Sequence, residues 1–305
     1  MLEKSFLAQR FAKLSFGQNS VIGYSVAGEE TVCQVPELNV CFDIGRSPHF
    51  ALTSDIICLT HGHMDHLAGI AYYLSQRYFQ GMKAGTILLP RELLRPVEDM
   101  LMCWRGIERQ NTPFELKPMS PGQTYPVRRD FAIRCFATHH AGPSLGYSLI
   151  SIREKLKPEL LGKPGPELVE LRKQGMEIQY RVEVPLVTFM GDTSAGTVFD
   201  DPDVVNAEIL ITECTFFEPL HRGKAKAGRH LHVDQFVEIL PKLKCENIVI
   251  SHVTRRSGIQ RARSILRRRV GDEAMKRIHF LMDFDDSVDA GEVEDAGPTS
   301  SDTAE

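Results

Sequence analysis

Five short apolar runs in this chain stop abruptly at polar side chains able to bind a metal or move a proton. They are Ile56-Ile57-Cys58-Leu59, Phe131-Ala132-Ile133-Arg134-Cys135-Phe136, Pro185-Leu186-Val187-Thr188-Phe189-Met190, Ile209-Leu210-Ile211 and Asn247-Ile248-Val249-Ile250. Runs of this length, rich in β-branched residues and followed by turn formers, predict buried strands. Between them lie helical patterns, such as Val233, Phe236, Val237 and Leu240 at helical spacing. Strands in both halves with helices between them predict an α/β fold.

Each run gives way to polar residues. Thr60-His61-Gly62-His63-Met64-Asp65-His66 succeeds the first, Thr138-His139-His140 the second and Gly191-Asp192-Thr193 the third. Thr212-Glu213-Cys214-Thr215 and Ser251-His252 succeed the last two. A regular helix cannot turn His61, His63, Asp65 and His66 toward one point, and a strand sends His63 and His66 to opposite faces. A tight loop leaving a strand can, and Gly62 is expected to let the backbone bend there. Imidazole with carboxylate suits zinc, or manganese or iron, better than calcium or magnesium. Taken singly, any one of these groups is more often a satisfied structural residue. Their shared placement at strand ends favours one composite site, since loops there converge on a rigid sheet.

The donors number seven: His61, His63, Asp65, His66, one of His139 or His140, Asp192 and His252. One catalytic ion takes about four positions, one of them left for water. Seven therefore suits two ions with a bridging carboxylate, which could hold a hydroxide between them and stabilise both oxygens of an in-line displacement at phosphorus. A structural zinc site would be richer in paired cysteines, so hydrolysis is the expected chemistry.

These residues resemble the metallo-β-lactamase fold and, within it, the ribonuclease Z group, endonucleases that trim tRNA 3′ trailers. The resemblance runs from about Phe16 to Val270. His61, His63, Asp65 and His66 match the signature loop. Alignment on Ser144-Leu145-Gly146-Tyr147 selects His140 over His139, Asp192 in Gly-Asp-Thr matches the bridging residue, and Ser251-His252-Val253-Thr254-Arg255-Arg256 matches the last ligand segment. The resemblance implies a single four-layer αββα domain. It implies one zinc on His61, His63 and His140 and a second on Asp65, His66 and His252, with Asp65 also orienting or deprotonating the attacking water. Glu213 in Thr-Glu-Cys-Thr-Phe resembles the branch's His-Glu-Ala-Thr-Phe motif, and His230 resembles the histidine of its Gly-His-Ser-Thr motif. Such a pair could protonate the leaving 3′ oxygen, the carboxylate holding the imidazole; the bland alternative is an ordinary polar pair behind the site.

Gly162-Lys163-Pro164-Gly165-Pro166, with Leu168, Leu171 and Arg172-Lys173-Gln174-Gly175, resembles the root of the tRNA-gripping arm of bacterial ribonuclease Z, here as a short insertion over 151–182. A plain Pro/Gly turn joining a hairpin or short helix is the other reading. The resemblance has departures. The N-terminal glycine loop and the Pro-x-Lys-x-Arg-Asn segment are absent, Phe16-Gly17-Gln18-Asn19-Ser20 keeping only an Asn-Ser echo. Asp43-Ile44-Gly45-Arg46 replaces the usual Asp-Cys-Gly-Glu, and Thr212, Leu231 and His232 differ from the two motifs. These changes leave the metal chemistry intact and bear on the tRNA substrate. Ribonuclease Z relatives also imply a homodimer, one subunit's arm serving the other.

Composition adds limits. At 305 residues and 42% hydrophobic content the chain can bury one substantial core, and His61 must meet His252, so both halves should form one unit over 1–282. No run of 18 apolar residues suggests a membrane span, Met1-Leu2-Glu3-Lys4-Ser5 lacks an export signal, and seven scattered cysteines suit reduced thiols in a cytoplasm. The net charge of −4 hides an acidic tail: residues 283–305 hold nine Asp or Glu and no Lys or Arg, and without them the charge is +5. This tail is expected to be disordered. Two basic segments flank the site in sequence, Arg222, Lys224, Lys226 and Arg229, then Arg255, Arg256, Arg261, Arg263, Arg267, Arg268 and Arg269. Lys224, Lys226, Arg255 and Arg256 are the candidates for contacting RNA phosphates. The alternative for the second segment is a solvated helix face over a buried stripe of Ile259, Ala262 and Leu266, and the tail could compete with RNA for the basic surface.

The expectation is thus a dinuclear zinc phosphodiesterase acting on RNA, plausibly precursor tRNA, with no membrane partner. A hydrolase of a cyclic nucleotide, lactone or thioester on the same fold is the alternative. Thioesterase and lactamase branches usually carry His-x-Pro-Gly-His for the third ligand, whereas this chain has His139-His140-Ala141-Gly142-Pro143. A non-catalytic RNA-binding relative ranks last, since such relatives lose ligands. Native metal, substrate and oligomeric state are not fixed by sequence.

Overall fold

A computed structural model of the protein describes residues 11–283. Seven strands form a first sheet in chain order: β1 (Ala12–Phe16), β2 (Asn19–Val26), β3 (Glu30–Val35), β4 (Val40–Phe42), β5 (Ile56–Cys58), β6 (Thr86–Pro90) and β7 (Glu115–Met119). The second holds β8 (Thr124–Arg128), β9 (Phe131–Ala137), β10 (Leu145–Leu156), β11 (Gln179–Phe189), β12 (Ile209–Glu213), β13 (Asn247–Ser251) and β14 (Ile278–Phe280), again in order. Each sheet begins antiparallel and turns parallel at its fourth strand, β4 pairing parallel with β5 and β11 with β12. The helices are α1 (Met64–Leu67), α2 (Ile70–Phe79), α3 (Leu94–Glu108), α4 (Gly165–Lys173), α5 (Pro202–Val205), α6 (Arg222–Gly228), α7 (Val233–Ile239) and α8 (Ile259–Met275).

The sheets pack face to face through Leu14, Phe42, Leu88, Ile133, Tyr147, Val187 and Phe189, with Phe42 and Phe189 stacked at 4.9 Å between ring centroids. Leu74 and Leu101, on α2 and α3, cover the outer face of the first sheet. Phe236 on α7 and Ala262 and Leu266 on α8 cover that of the second. This is the expected single αββα domain. All five predicted strands are present, as β5, β9, β11, β12 and β13. Pro185 is tolerated inside β11 because β11 itself bulges beside it, Leu186 being the extra residue between the Leu149–Val187 and Ile150–Pro185 pairs, and the parallel ladder to β12 begins only at Val187.

Residues 151–182 are the outer part of the β10–β11 hairpin, crossed at its tip by α4, and Leu160 is their only buried residue. Asp283, counted with the acidic tail, lies within the described fold: it is buried and ion-paired with Arg263. The rest of that tail, 284–305, lies outside the described residues. No helix among the described residues is long and apolar enough to cross a membrane.

Candidate metal centre

The seven donors come together where β5, β9, β11, β12 and β13 end. After β5 the chain passes His61 and His63, and His63 caps the single turn of α1 that carries Asp65 and His66. That helical turn, rather than Gly62, swings the last two donors round. Gly62 has no left-handed φ, and a Cβ there would meet Leu93 at an ordinary 3.5 Å. The glycine the site requires is Gly191, whose φ is +60° and whose Cβ would lie 2.8 Å from Thr60 Cγ2. It delivers Asp192.

Asp192 Oδ2 stands at the middle. The Nε2 atoms of His61, His66, His140 and His252 lie 3.9, 3.4, 3.9 and 3.4 Å from it. Asp65 Oδ2 lies 3.7 Å from His66 Nε2 and 3.5 Å from His252 Nε2, and His63 Nδ1 lies 3.3 Å from His140 Nε2. Three overlapping groups result: His61, His63 and His140 with Asp192, Asp65 with His66 and His252, and Asp192 with His230 and His252, the donor atoms within each lying inside 4.8 Å of one another. His139 joins none of them; its Nε2 faces Thr197 Oγ1 at 3.4 Å.

This donor set fits divalent cations. Zinc bonds of about 2.0–2.1 Å in a tetrahedron put ligand atoms about 3.3–3.4 Å apart, the spacing of the closest pairs here. Nε2 of His61 and of His66 are moreover buried without a hydrogen-bond partner, a costly arrangement that a cation would relieve.

The far nitrogens are held from behind. Asp43, buried in the turn after β4, accepts from His66 Nδ1 at 2.7 Å and from the N–H and hydroxyl of Thr60. With its proton given to Asp43, the Thr60 hydroxyl accepts from His61 Nδ1 at 3.0 Å. Thr215 repeats the device: its hydroxyl donates to Glu213 Oε2 and accepts from His252 Nδ1 at 3.0 Å. The carbonyl of Arg229 faces His140 Nδ1 at 3.3 Å. Each of these rings is thereby turned to present Nε2 to the centre. Sequence reasoning missed Asp43, Thr60 and Thr215; the Asp that survives in the altered Asp-Ile-Gly-Arg segment was the one available signal.

Electrostatics follow from this crowding. Burial and the neighbouring His66 hold His61 well below the usual histidine range, and burial lowers His140 too. Burial also acts to lower His66, but the carboxylates of Asp192 and Asp43 outweigh it and raise the ring well above that range. A cation and a proton therefore compete at His66 Nε2. Asp192 is fully buried, which acts to raise it, yet His252 and His66 hold it well below the usual carboxylate range.

Glu213 and His230 sit beside the donors. Glu213 is fully buried and accepts from Thr193 N–H, Leu231 N–H and the Thr215 hydroxyl. It pairs with His230 Nδ1 at 3.1 Å, and the His230 ring stacks on that of His252 at 5.3 Å. Burial acts against a charged His230, but the Glu213 carboxylate prevails and lifts it to about 9.

The basic residues divide. Arg255 is paired with Glu29 at 2.5 Å, and Arg261, Arg267 and Arg269 pair with Glu218, Asp272 and Asp234. Ala262 and Leu266 are buried beneath them, with Ile259 packed alongside, so much of this segment is a solvated helix face. Lys224, Lys226 and Arg256 form no ion pair among the described residues. Lys226 lines a cleft of about 470 Å³ together with His230.

A family model for the beta-lactamase superfamily domain matches residues 51–253. The chain is 33% identical over 247 residues to tRNase Z TRZ2, chloroplastic, of Arabidopsis thaliana, covering 80% of this chain and 70% of that one. It is 32% identical over 241 residues to tRNase Z TRZ1 of the same plant, covering 78% and 86%. Among solved structures, the short form of human tRNase Z superposes with a TM-score of 0.53 at 16% identity, covering 87% of this chain and 90% of that one. The metallo-beta-lactamase fold protein YhfI of Bacillus subtilis gives 0.55 at 15% identity, covering 90% and 92%. At such identities the structures speak for the fold alone.

Proposed function

The chain belongs to the beta-lactamase superfamily and, within it, to the ribonuclease Z family of metal-dependent hydrolases, and on that premise we propose that it is a dinuclear zinc endonuclease that cuts the 3′ trailer from precursor tRNA. His61, His63 and His140 would hold one ion and Asp65, His66 and His252 the other, with Asp192 between them. When bound, the ions supply Lewis acidity at the scissile phosphate and a hydroxide nucleophile at neutral pH. The protein's own share lies in orientation and proton transfer. Asp65 Oδ2 takes the N–H of Gly28 at 2.9 Å, which fixes the carboxylate that aligns the attacking water and accepts its proton. On the other side, Glu213 holds His230 to donate a proton to the departing 3′ oxygen.

The observation that carries this reading is the Glu213–His230 pair, 3.1 Å apart, with His230 Nδ1 3.9 Å from the central Asp192 Oδ2. A ribose alkoxide is a poor leaving group and needs that proton; a thiolate leaving a thioester does not. Lys224, Lys226 and Arg256, with Arg255 once released from Glu29, would neutralise RNA phosphates. The exposed hairpin over 151–182 is open to a tRNA or to a second copy, and we include a homodimer in the proposal. All seven cysteines are free and six are buried, which suits a reducing compartment such as the cytoplasm.

The test is cleavage of a 3′-extended tRNA precursor by zinc- or manganese-loaded protein, with product ends mapped. A cut after the discriminator base leaving a 3′ hydroxyl supports the reading. No specific cut with a full metal complement would sink it in favour of a small-molecule ester or cyclic nucleotide.

A further inference from the structure

Arg229 occupies an unusual backbone position. Its φ of 54° and ψ of 48° place it in the left-handed region at the end of α6, where glycine sits without strain and an L side chain does not. The chain nevertheless keeps an arginine there, directly before His230. Its main chain and side chain both grip the loop after β9. The carbonyl faces His140 Nδ1, and Nη1 donates to the His140 carbonyl at 2.9 Å. That bond uses one corner of the guanidinium. Nε and Nη2 make no hydrogen bond among the described residues, which leaves the flat edge suited to two parallel bonds with a phosphate.

The exposed guanidinium lines a groove of about 520 Å³ that opens beside His140, a volume inside the ~300–1,000 Å³ span of small-molecule sites. Thr138, His139, His140, Ser194 and Thr197 supply the other polar groups, and no carboxylate among the described residues lines it. The floor is Gly196, where a Cβ would lie 2.7 Å from the His139 ring. The groove shares Ser194 and Ala195 with the cleft lined by His230, Lys226, Arg222 and Asp234; Arg222 is paired there with Asp234, while Lys226 forms no ion pair among the described residues.

We propose that this groove seats the phosphodiester next to the scissile one, with Arg229 as its anion-binding side chain. The inference rests on the RNA reading above and adds a subsite to it. The clamp on the His140 carbonyl presets the guanidinium, so little side-chain freedom is lost when the phosphate arrives. His139, which is not a donor, gains a role as the groove's wall.

The test compares wild type with Arg229→Gly, which suits the left-handed backbone and retains the carbonyl facing His140, and with Thr197→Glu, which puts a negative charge in the groove. Both are assayed, zinc-loaded and full length, on a 3′-extended precursor tRNA and on bis(p-nitrophenyl) phosphate, a diester with no neighbouring nucleotide. We expect kcat/KM for the RNA to fall at least tenfold more than for the small diester, through KM. The slope of log binding constant against log salt should shrink by about one for Arg229→Gly. Equal losses on both substrates, or a fall in zinc per chain, would mean that Arg229 acts only through His140 and would overturn the proposal. So would an unchanged KM and salt slope. If wild type binds the precursor without cutting it, the endonuclease reading falls, while the groove still stands or falls on the salt slope; if no RNA binds, both fall.

Discussion

Asp43 lies one step behind the donors and fixes two of them, His66 directly and His61 through Thr60. Asp43→Asn keeps the size and the tolerance for a left-handed backbone (φ 54°). Its amide can accept on one side only, however, and turns N–H groups toward His66 or Thr60. Zinc affinity should fall roughly 10–100-fold, as for other groups that orient metal ligands. Titration against a chromophoric chelator measures this, and an unaltered affinity would show that Asp43 does not tune the site. The two acid–base candidates separate in the same way. Asp65→Ala should abolish RNA cleavage. His230→Ala should slow single-turnover cleavage by roughly 10²–10⁴-fold, the usual contribution of a general acid, with two zincs per chain retained. Elemental analysis decides: a His230→Ala protein stripped of both ions would show that His230 is itself a ligand.

Among the elements, the strand-end loops impose unequal demands on their glycines. Gly191→Ala forces a side chain into a left-handed backbone and against Thr60, so Asp192 or Thr60 must move. We expect a loss of about 2 kcal/mol or more together with weaker zinc binding. Gly62→Ala, between two donors in sequence, meets only Leu93 at van der Waals distance and should cost less than about 1 kcal/mol. Chemical denaturation of the two variants checks the contrast, and equal losses would contradict it. The strands ending at the site were legible because each couples an unbroken apolar run to a polar stop. Those of the first sheet's antiparallel half, such as β2 with Gly23 and Tyr24 among its residues, lack that punctuation. The arginines of α8 show the opposite limit. Their spacing fits an RNA-binding face and a solvated one equally, and only the placement of Glu218, Asp234, Asp272 and Asp283 shows how many are already paired.

At the scale of the whole molecule, the candidate centre draws its donors from both sheets. His61, His63, Asp65 and His66 come from the first, and His140, Asp192 and His252 from the second. Ligands that bind only the folded chain stabilise it by mass action. Removing metal with a chelator should therefore lower the melting temperature by several degrees, and restoring zinc should recover it. A melting temperature indifferent to chelation would argue against two tightly held ions. The acidic segment 284–305 gives a separate prediction. If it competes for the basic surface, deleting it should tighten RNA binding at low salt, and unchanged affinity in a filter-binding assay would dismiss that role.

The sequence by itself determined the fold class and the class of metal-dependent hydrolase. An ordered set of His and Asp at the ends of apolar runs carries the candidate ligands and the fold class, because strand periodicity and donor softness are local properties of the chain. It left His139 and His140 distinguishable only by resemblance. The tertiary structure turned His140 inward and His139 into a groove, set Asp43, Thr60 and Thr215 behind the imidazoles, and brought Arg229 onto the loop after β9. Those pairings join residues as far apart as His140 and Arg229, and a hydrogen bond's direction depends on where two separate elements pack. That information resides in the packing of the two sheets, and no window of the sequence contains it.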